Sequence, residues 1–407
     1  MLGDHLTHKP SKTLFTLFWL VAGALFFLPG LGGVPLFDWD EANFAAIARE
    51  MVVSGDYLRP SISYLPFTEK PPLFFWLQAL AMEVIGIGEY AARLPNALFG
   101  MLTLPLLYRI GRKWQDHTLG MLWAGLYLAT FLPHLYFKSG IIDPVFNFFI
   151  FLGLYGLVLF HFRQNGYYTL SLLRSKWWYL IGAGAATGLA VLTKGPAALA
   201  ILGLTVVAYW LFKARMRWFI KWWQGVLYLL ITLLTAATWY GLEVAVNGPA
   251  FMTEFFERQV ALFSTADAGH GGFPGYHVVV LLVGCFPASV FAIAGHKRQK
   301  DWNSHLRDWH AWMVILLWVV VILFSIVQSK IVHYSSMAYF PLTYLAAAYL
   351  HGWLQHKRSM SLGLHSLLWG LGLVLALASF ALPVVASHPA WLQELPLRPL
   401  TAASLQA

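Results

Sequence analysis

Cysteine is all but missing: Cys285 is the one thiol among 407 residues. An internal disulfide is therefore excluded, and metal–thiolate chemistry is not expected. Charge is scarce as well. Only 11% of the residues are Asp, Glu, Lys or Arg, against 59% hydrophobic, and the mean hydropathy is +0.63. A soluble chain of this length needs far more charge to cover its surface. No N-x-S/T acceptor, no low-complexity tract and no short-period repeat occurs. The missing acceptor motif fits a bacterial membrane.

What the chain has instead is long apolar runs, each about as long as a bilayer core requires. They predict eleven spans, near 13–31, 91–110, 117–136, 144–162, 178–194, 197–212, 225–246, 276–294, 311–328, 336–354 and 362–386. The first, TLFTLFWLVAGALFFLPG, follows Lys9 and Lys12 but lacks a small-x-small cleavage site, and reads as a retained span that also directs export. With a cytoplasmic N-terminus, eighteen of the 27 Lys and Arg residues fall in short cytoplasmic loops, and most of the acidic residues fall on the other side. That asymmetry is the positive-inside pattern. It accounts for the pI of 9.5 as membrane orientation, so nucleic acid is not an expected partner.

Residues 72–88, PLFFWLQALAMEVIGIG, are apolar but short and carry Glu83. A crossing here would switch the side of every later basic loop. The segment is therefore laid in the outer interface, beside a short helix from Glu41 to about Val53. Residues 32–90 become a large external loop, with a second over 247–275. The external charges gather in DWDEA, YLPFTEKPP, FKSGIIDPVF, LTKGP, the loop holding Glu254, Glu257, Arg258, Asp267 and His270, and VQSKIVHY with Lys330 and His333. All stand at the outer edges of spans rather than mid-membrane, where a transporter concentrates its polar groups. Each has a plainer reading too. Asp40 suits an N-cap, Asp143-Pro144 a helix start, the lone lysines interfacial snorkelling, and His270 an ordinary loop. The 19 Trp, 30 Phe and 18 Tyr are chiefly interfacial belts and contacts with membrane lipids.

In combination the motifs are more specific. The run DWDEANFAAIAREMVVSGDYLRPSISYLPFTEKPPLFFWLQAL resembles the first external loop of the aminoarabinose transferases that modify lipid A, which belong with the protein O-mannosyltransferases in the GT-C class of membrane glycosyltransferases. ARLPNALFG, IIDPVF, LTKGPAA and SKIVHY follow in matching order, so the likeness runs from about residue 35 to 350. It implies an all-α polytopic GT-C fold. The implied activity is inverting transfer of a sugar from a polyprenyl-phosphate-linked donor to a glycolipid or protein acceptor, at the periplasmic face of a bacterial inner membrane. Because the donor is lipid-linked, no nucleotide cofactor is expected, and no glycine-rich phosphate fingerprint follows a strand. By resemblance Asp40 orients or deprotonates the nucleophile, beside Glu41, and Asp143 is a second acid on the acceptor side. Lys70 of EKPP contacts the donor phosphate, with Lys194, Arg258 and Lys330 as further cations on the same face. Some relatives hold a divalent metal ion at positions matching Glu69 and His270; two ligands specify no geometry.

Two departures stand out. Where relatives commonly read DEARYAE this chain has Asn43, one cation fewer. The aminoarabinose transferases continue into further spans and a periplasmic domain, whereas this sequence closes on ASHPAWLQELPLRPLTAASLQA. The expected organisation is a transmembrane module over 1–386 and a short periplasmic tail over 387–407, with a truncated chain as the alternative. A lipid-linked-sugar transporter and an inactive binding homologue stay open beside the enzyme.

Overall fold

The structure, a computed structural model, describes residues 11–37, 39–166, 175–214, 216, 220–264, 271–297, 302–356 and 360–388. In chain order, α1 (Lys12–Phe27) leads to α2 (Asp40–Ser54), a hairpin of β1 (Ser61–Ile62) and β2 (Leu65–Pro66), and α3 (Leu73–Ile85). There follow α4 (Glu89–Trp114), α5 (His117–Ala129), α6 (Phe131–Phe137), α7 (Asp143–Gln164), α8 (Trp177–Lys194) and α9 (Ala197–Phe212). Next come α10 (Trp222–Asn247), α11 (Ala250–Ser264), α12 (Tyr276–Gly284), α13 (Ala288–Gly295) and α14 (Ser304–Ile326). A 3-10 helix (Val332–Ala338) then runs into α15 (Tyr339–His356), and α16 (Leu362–Ala386) is the last element described.

Helices stand at all eleven predicted span positions. Among the described residues four of them, α7, α10, α14 and α16, suffice by length and composition to cross a membrane, and two bent pairs would raise the number to six. The expected spans 117–136 and 276–294 are not continuous. The first breaks between α5 and α6 with a 71° bend, and the second between α12 and α13 with a 115° bend. Pro287, at the second break, has no N–H for the helix ladder and its ring clashes with the preceding turn.

By its contacts the chain forms two compact units, residues 1–355 and 356–407. Within the second, α16 is largely apolar, with a mean hydropathy of 2.2 in an 18-residue window of Leu362–Val385. In the first unit small residues let helices approach closely. A Cβ at Gly153 of α7 would lie 2.6 Å from Thr187 Oγ1 of α8, and one at Gly156 would lie 2.9 Å from Ala183 Cβ. Such contacts hold helices together in lipid, where apolar burial drives nothing.

The predicted external loop is a folded layer. Phe44, Ile47 and Met51 of α2 pack on Phe74, Phe75 and Met82 of α3 and on Ile142 and Val145 at the start of α7. Burying each such side chain contributes about 1.5–3 kcal/mol, enough to hold α2 in place. The hairpin was not foreseen, because its two-residue turn is Ser63-Tyr64 rather than Asn-Gly. Both residues have positive φ, 54° and 58°. The cost is offset by buried Glu50, whose carboxylate accepts from Ser63 N at 2.6 Å, Tyr64 N at 3.0 Å and Ser61 Oγ at 2.8 Å. In the second predicted loop, α11 packs Phe251 and Phe255 against Leu192 and Trp239. The tail assigned to 387–407 falls almost wholly outside the described residues.

Candidate active site

The helix ends bring several of the charges predicted to be external into one place. Asp40 is the first residue of α2, Asp143 the first of α7 and Lys194 the last of α8. Lys70 immediately precedes the Pro71-Pro72 entry to α3, and Arg258 sits on α11. A cavity of about 390 Å³ is lined by Asp40, Glu41, Glu69, Lys70, Lys194, Arg258 and His333 among others. A second, of about 260 Å³, is lined by Asp143 and by apolar groups that include Phe146, Ala200, Ile201, Leu323 and Val327. Lys70, Lys194 and Tyr334 belong to both. The two spaces therefore meet at a pair of ammonium groups.

Asp40 is not the N-cap of its helix. That place falls to Trp39, which makes no side-chain cap hydrogen bond and has φ 72°. A bulky residue at positive φ is strained, and such outliers cluster at functional sites. Asp40 is one-third exposed and opens to the first cavity. Asp143 is nearly fully buried, and its Oδ1 accepts from Lys194 Nζ at 2.6 Å. The Lys194 ammonium also lies 5.1 Å from the Tyr334 ring centroid and 5.8 Å from that of Phe146. Gly195, at φ 91°, ends α8 directly after the lysine.

Glu41, expected beside Asp40 in catalysis, is used structurally. Its carboxylate pairs with Arg93 of α4, both side chains being 1% exposed. Arg93 donates from Nε and Nη2 to Glu41, each at 2.8 Å, from Nη1 to the carbonyls of Leu31 and Val34, and from Nη2 to that of Pro35. All five guanidinium protons are thus engaged. The remaining lone pairs of Glu41 accept from Phe37 N at 2.7 Å and Gly140 N at 2.5 Å. Gly140 lies in the turn that leads to Asp143, and Asn96 donates to the Ser139 and Ile141 carbonyls of the same turn, both at 2.6 Å. One buried network thereby fixes the starts of α2 and α7 together, and with them Asp40 and Asp143. A fully engaged carboxylate has no lone pair left for a substrate. Arg93 stood in the ARLPNALFG motif, but an arginine one turn into a span gave no sign of such a partner.

Lys330 also departs from expectation. It lines neither cavity. Its buried ammonium donates to the carbonyls of Phe324 at 3.1 Å, Ser325 at 2.8 Å and Val327, capping the C-terminal end of α14, where a cation opposes the helix dipole. His333, by contrast, was noted only as a neighbour in the sequence. Its Nε2 lies 3.4 Å from Asp40 Oδ2 and 3.7 Å from Asp143 Oδ2.

Glu69 is flanked by cations: Arg258 Nε at 3.1 Å and Lys70 Nζ at 3.9 Å. A carboxylate whose charge is already balanced twice fits a divalent cation poorly. Its expected co-ligand His270 lies outside the described residues, and among the described residues no three His, Cys, Asp or Glu side chains group as metal ligands. Burial pushes the Lys70 ammonium below its usual 10.5, Lys194 and Arg258 adding to the effect and Glu69 and Asp40 opposing it. Burial likewise lowers the His333 imidazole, against the pull of Asp143 and Asp40.

Comparison with known proteins adds three findings. Residues 13–254 match the family model described as dolichyl-phosphate-mannose-protein mannosyltransferase. The undecaprenyl phosphate-alpha-4-amino-4-deoxy-L-arabinose arabinosyl transferase of Pectobacterium carotovorum is 27% identical over 375 residues, 91% of this chain and 65% of that protein. The enzyme of the same name from Pseudomonas aeruginosa is 28% identical over 364 residues, covering 89% and 64%. The chain thus spans just under two thirds of the length of these relatives. Among solved structures, ArnT from Cupriavidus metallidurans bound to undecaprenyl phosphate superposes with a TM-score of 0.76 at 23% identity, over 92% of this chain and 66% of that one. The fold is therefore that of a GT-C membrane glycosyltransferase, and the chain is a multi-pass membrane protein.

Proposed function

The chain belongs to the dolichyl-phosphate-mannose-protein mannosyltransferase family, and from that membership we propose that it is an inverting glycosyltransferase. It moves a sugar from a polyprenyl-phosphate donor to a glycolipid or protein acceptor held beside Asp40. The observation that carries this reading is the junction of the two cavities. One is largely apolar, walled by α7, α9 and α14; the other opens past Asp40; Lys70 and Lys194 stand where they meet. The phosphate-proximal end of an isoprenoid tail fits the apolar space, its phosphate lies against the two ammonium groups, and the sugar projects into the other cavity. The relatives' names carry the same donor class, undecaprenyl phosphate.

Each residue has a task in that arrangement. Breaking the sugar–phosphate bond leaves added charge on the phosphate, which the paired lysines stabilise most in the transition state. Lys194 is anchored by Asp143, and Arg258 screens Glu69 so that the carboxylate does not repel the phosphate. Asp40, with its carboxylate in the open cavity, aligns the nucleophile or takes its proton. A metal at Glu69 has no part in the proposal. The distribution of Lys and Arg supports a cytoplasmic N-terminus and a site at the periplasmic face of an inner membrane. Helices α2 and α11 partly cover it.

Undecaprenyl phosphate binding tests the reading. Replacing Lys70 with Gln is expected to weaken it about tenfold or more, the scale of one lost charge-assisted contact. The wild-type affinity is expected to fall as pH rises through the lowered Lys70 value, below the 10.5 of an ordinary lysine. A Lys70→Arg variant should move that alkaline loss upward, because guanidinium does not titrate there. Unaltered affinity in Lys70→Gln would remove the phosphate from this junction.

A further inference from the structure

Asp40 and Asp143 share one neighbour. His333 Nε2 approaches Oδ2 of both, at 3.4 and 3.7 Å. The two oxygens of Asp143 are treated differently. Oδ1 is held by Lys194, while Oδ2 is buried and has no hydrogen-bond partner among the described residues. The backbone that carries the imidazole is also held. The His333 carbonyl accepts from Ser336 Oγ, which itself accepts from Asn147 Nδ2 at 2.7 Å, and Asn147 lies one turn beyond Asp143 on α7. Carboxylate, imidazole and carboxylate thus form a bridge from the open cavity into the protein.

Such a bridge is of no use to a transferase whose acceptor arrives as an anion. A phosphate oxygen attacks as it stands and leaves no proton to remove. An alcohol attacks well only as its proton departs. We propose that His333 takes up the proton Asp40 removes from the acceptor, and that the acceptor is accordingly a neutral hydroxyl rather than a phosphate. This rests on the transferase reading above and adds the acceptor's class to it. In the step, the acceptor oxygen bonds the anomeric carbon as its O–H bond breaks. The anomeric carbon–oxygen bond to the donor phosphate breaks, and its electron pair leaves with the polyprenyl phosphate. The proton goes to Asp40 and then to His333 Nε2, where the imidazolium lies between two carboxylates until it is lost to water as the products leave. His333 thus acts through Asp40, as a positioning and proton-accepting residue.

The surroundings suit a base that is neutral at rest. Asp40 on α2 and Asp143 on α7 favour the charged ring, whereas burial, Lys194 on α8 and Lys70 before α3 oppose it, and burial prevails. Tyr136 of α6 and Tyr334 meet the ring edge-on, with centroids 6.4 and 5.4 Å away, and His277 of α12 also senses its charge.

The full chain in proteoliposomes, given undecaprenyl phosphate carrying a radiolabelled sugar and a crude bacterial envelope as acceptor source, provides the test. Glycosyl phosphates are cleaved by mild acid, and ordinary O-glycosides survive it. Transferred label that withstands mild acid supports the proposal. Acid-labile label on a product other than the donor overturns it and leaves the transferase reading standing. No transferred label overturns both. On whichever acceptor is labelled, His333→Gln is expected to lower kcat about 100-fold with the donor KM within about twofold. The acid limb of the rate profile should move, because the imidazole no longer titrates in it, and added imidazole should restore part of the rate. An unchanged kcat and acid limb, or a loss confined to KM, would overturn the role of His333. The acid-lability readout on the wild-type chain stands even where that variant does not fold.

Discussion

Asp40→Asn is expected to lower kcat by about 1,000-fold or more, the scale of a positioned general base, while undecaprenyl phosphate binds within about threefold of wild type. The separation follows from where the carboxylate stands. Asp40 is absent from the apolar cavity that would take the isoprenoid, and it opens into the other, past the lysine pair. It makes no cap hydrogen bond at α2, and the packing that holds this helix comes from Phe44, Ile47 and Met51. Removing one negative charge therefore leaves the fold intact and the donor seated. What is lost is the group that orients the attacking atom and accepts its proton. Turnover is compared with donor affinity on the same preparation, and an unfolding midpoint serves as control. A variant that keeps its rate would exclude Asp40 from the chemistry, and one that loses binding in parallel would show that its role is to assemble the pocket.

The largest effect on stability is expected from Arg93→Met. Removing one member of a buried ion pair strands the other, and the usual cost is about 3–5 kcal/mol. Here the stranded group is Glu41, 1% exposed, and three backbone carbonyls at residues 31, 34 and 35 lose their donor as well. The damage reaches the site because Glu41 also holds Gly140 N in the turn before Asp143. Thermal unfolding in detergent is expected at a clearly lower temperature, with activity lost before global unfolding as α2 and α7 separate. Replacing both members of the pair, Arg93→Met with Glu41→Met, is expected to recover part of the stability, since two apolar groups leave no buried charge. Activity should recover less, because Gly140 N stays unsatisfied. An Arg93→Met chain that unfolds at the wild-type temperature would deny the network its role.

The two variants also mark what the sequence made legible. Asp40, Lys70 and Asp143 were readable because charge at the edge of an apolar span is costly, and because their motifs follow one another in family order. The helices at the span positions were readable from hydropathy, and so were the two short helices α2 and α3. Glu41 was misread because an Asp-Glu pair looks like one functional unit, when its second member points inward to an arginine 52 residues away. The misassignment of Lys330 has a similar cause: a lysine after a span is compatible with a phosphate contact and with a helix cap, and only the fold distinguishes them. His333 was hidden because a lone histidine in a turn is seldom informative until two aspartates from α2 and α7 meet it. The broken spans escaped because Pro133 and Pro287 lie in runs otherwise long enough to cross the membrane.

The central claim is that the paired lysines and Asp40 form one site at which a sugar leaves a polyprenyl phosphate for a new acceptor. Its most direct test is the transfer of label from undecaprenyl phosphate–sugar by the purified chain in proteoliposomes, followed in time on both donor and acceptor. Label lost from the donor is expected to reappear in a new glycosidic product, one equivalent for one, and Asp40→Asn is expected to stop the exchange. Label that only changes leaflet, or stays on its carrier while the chain binds it, would contradict that claim.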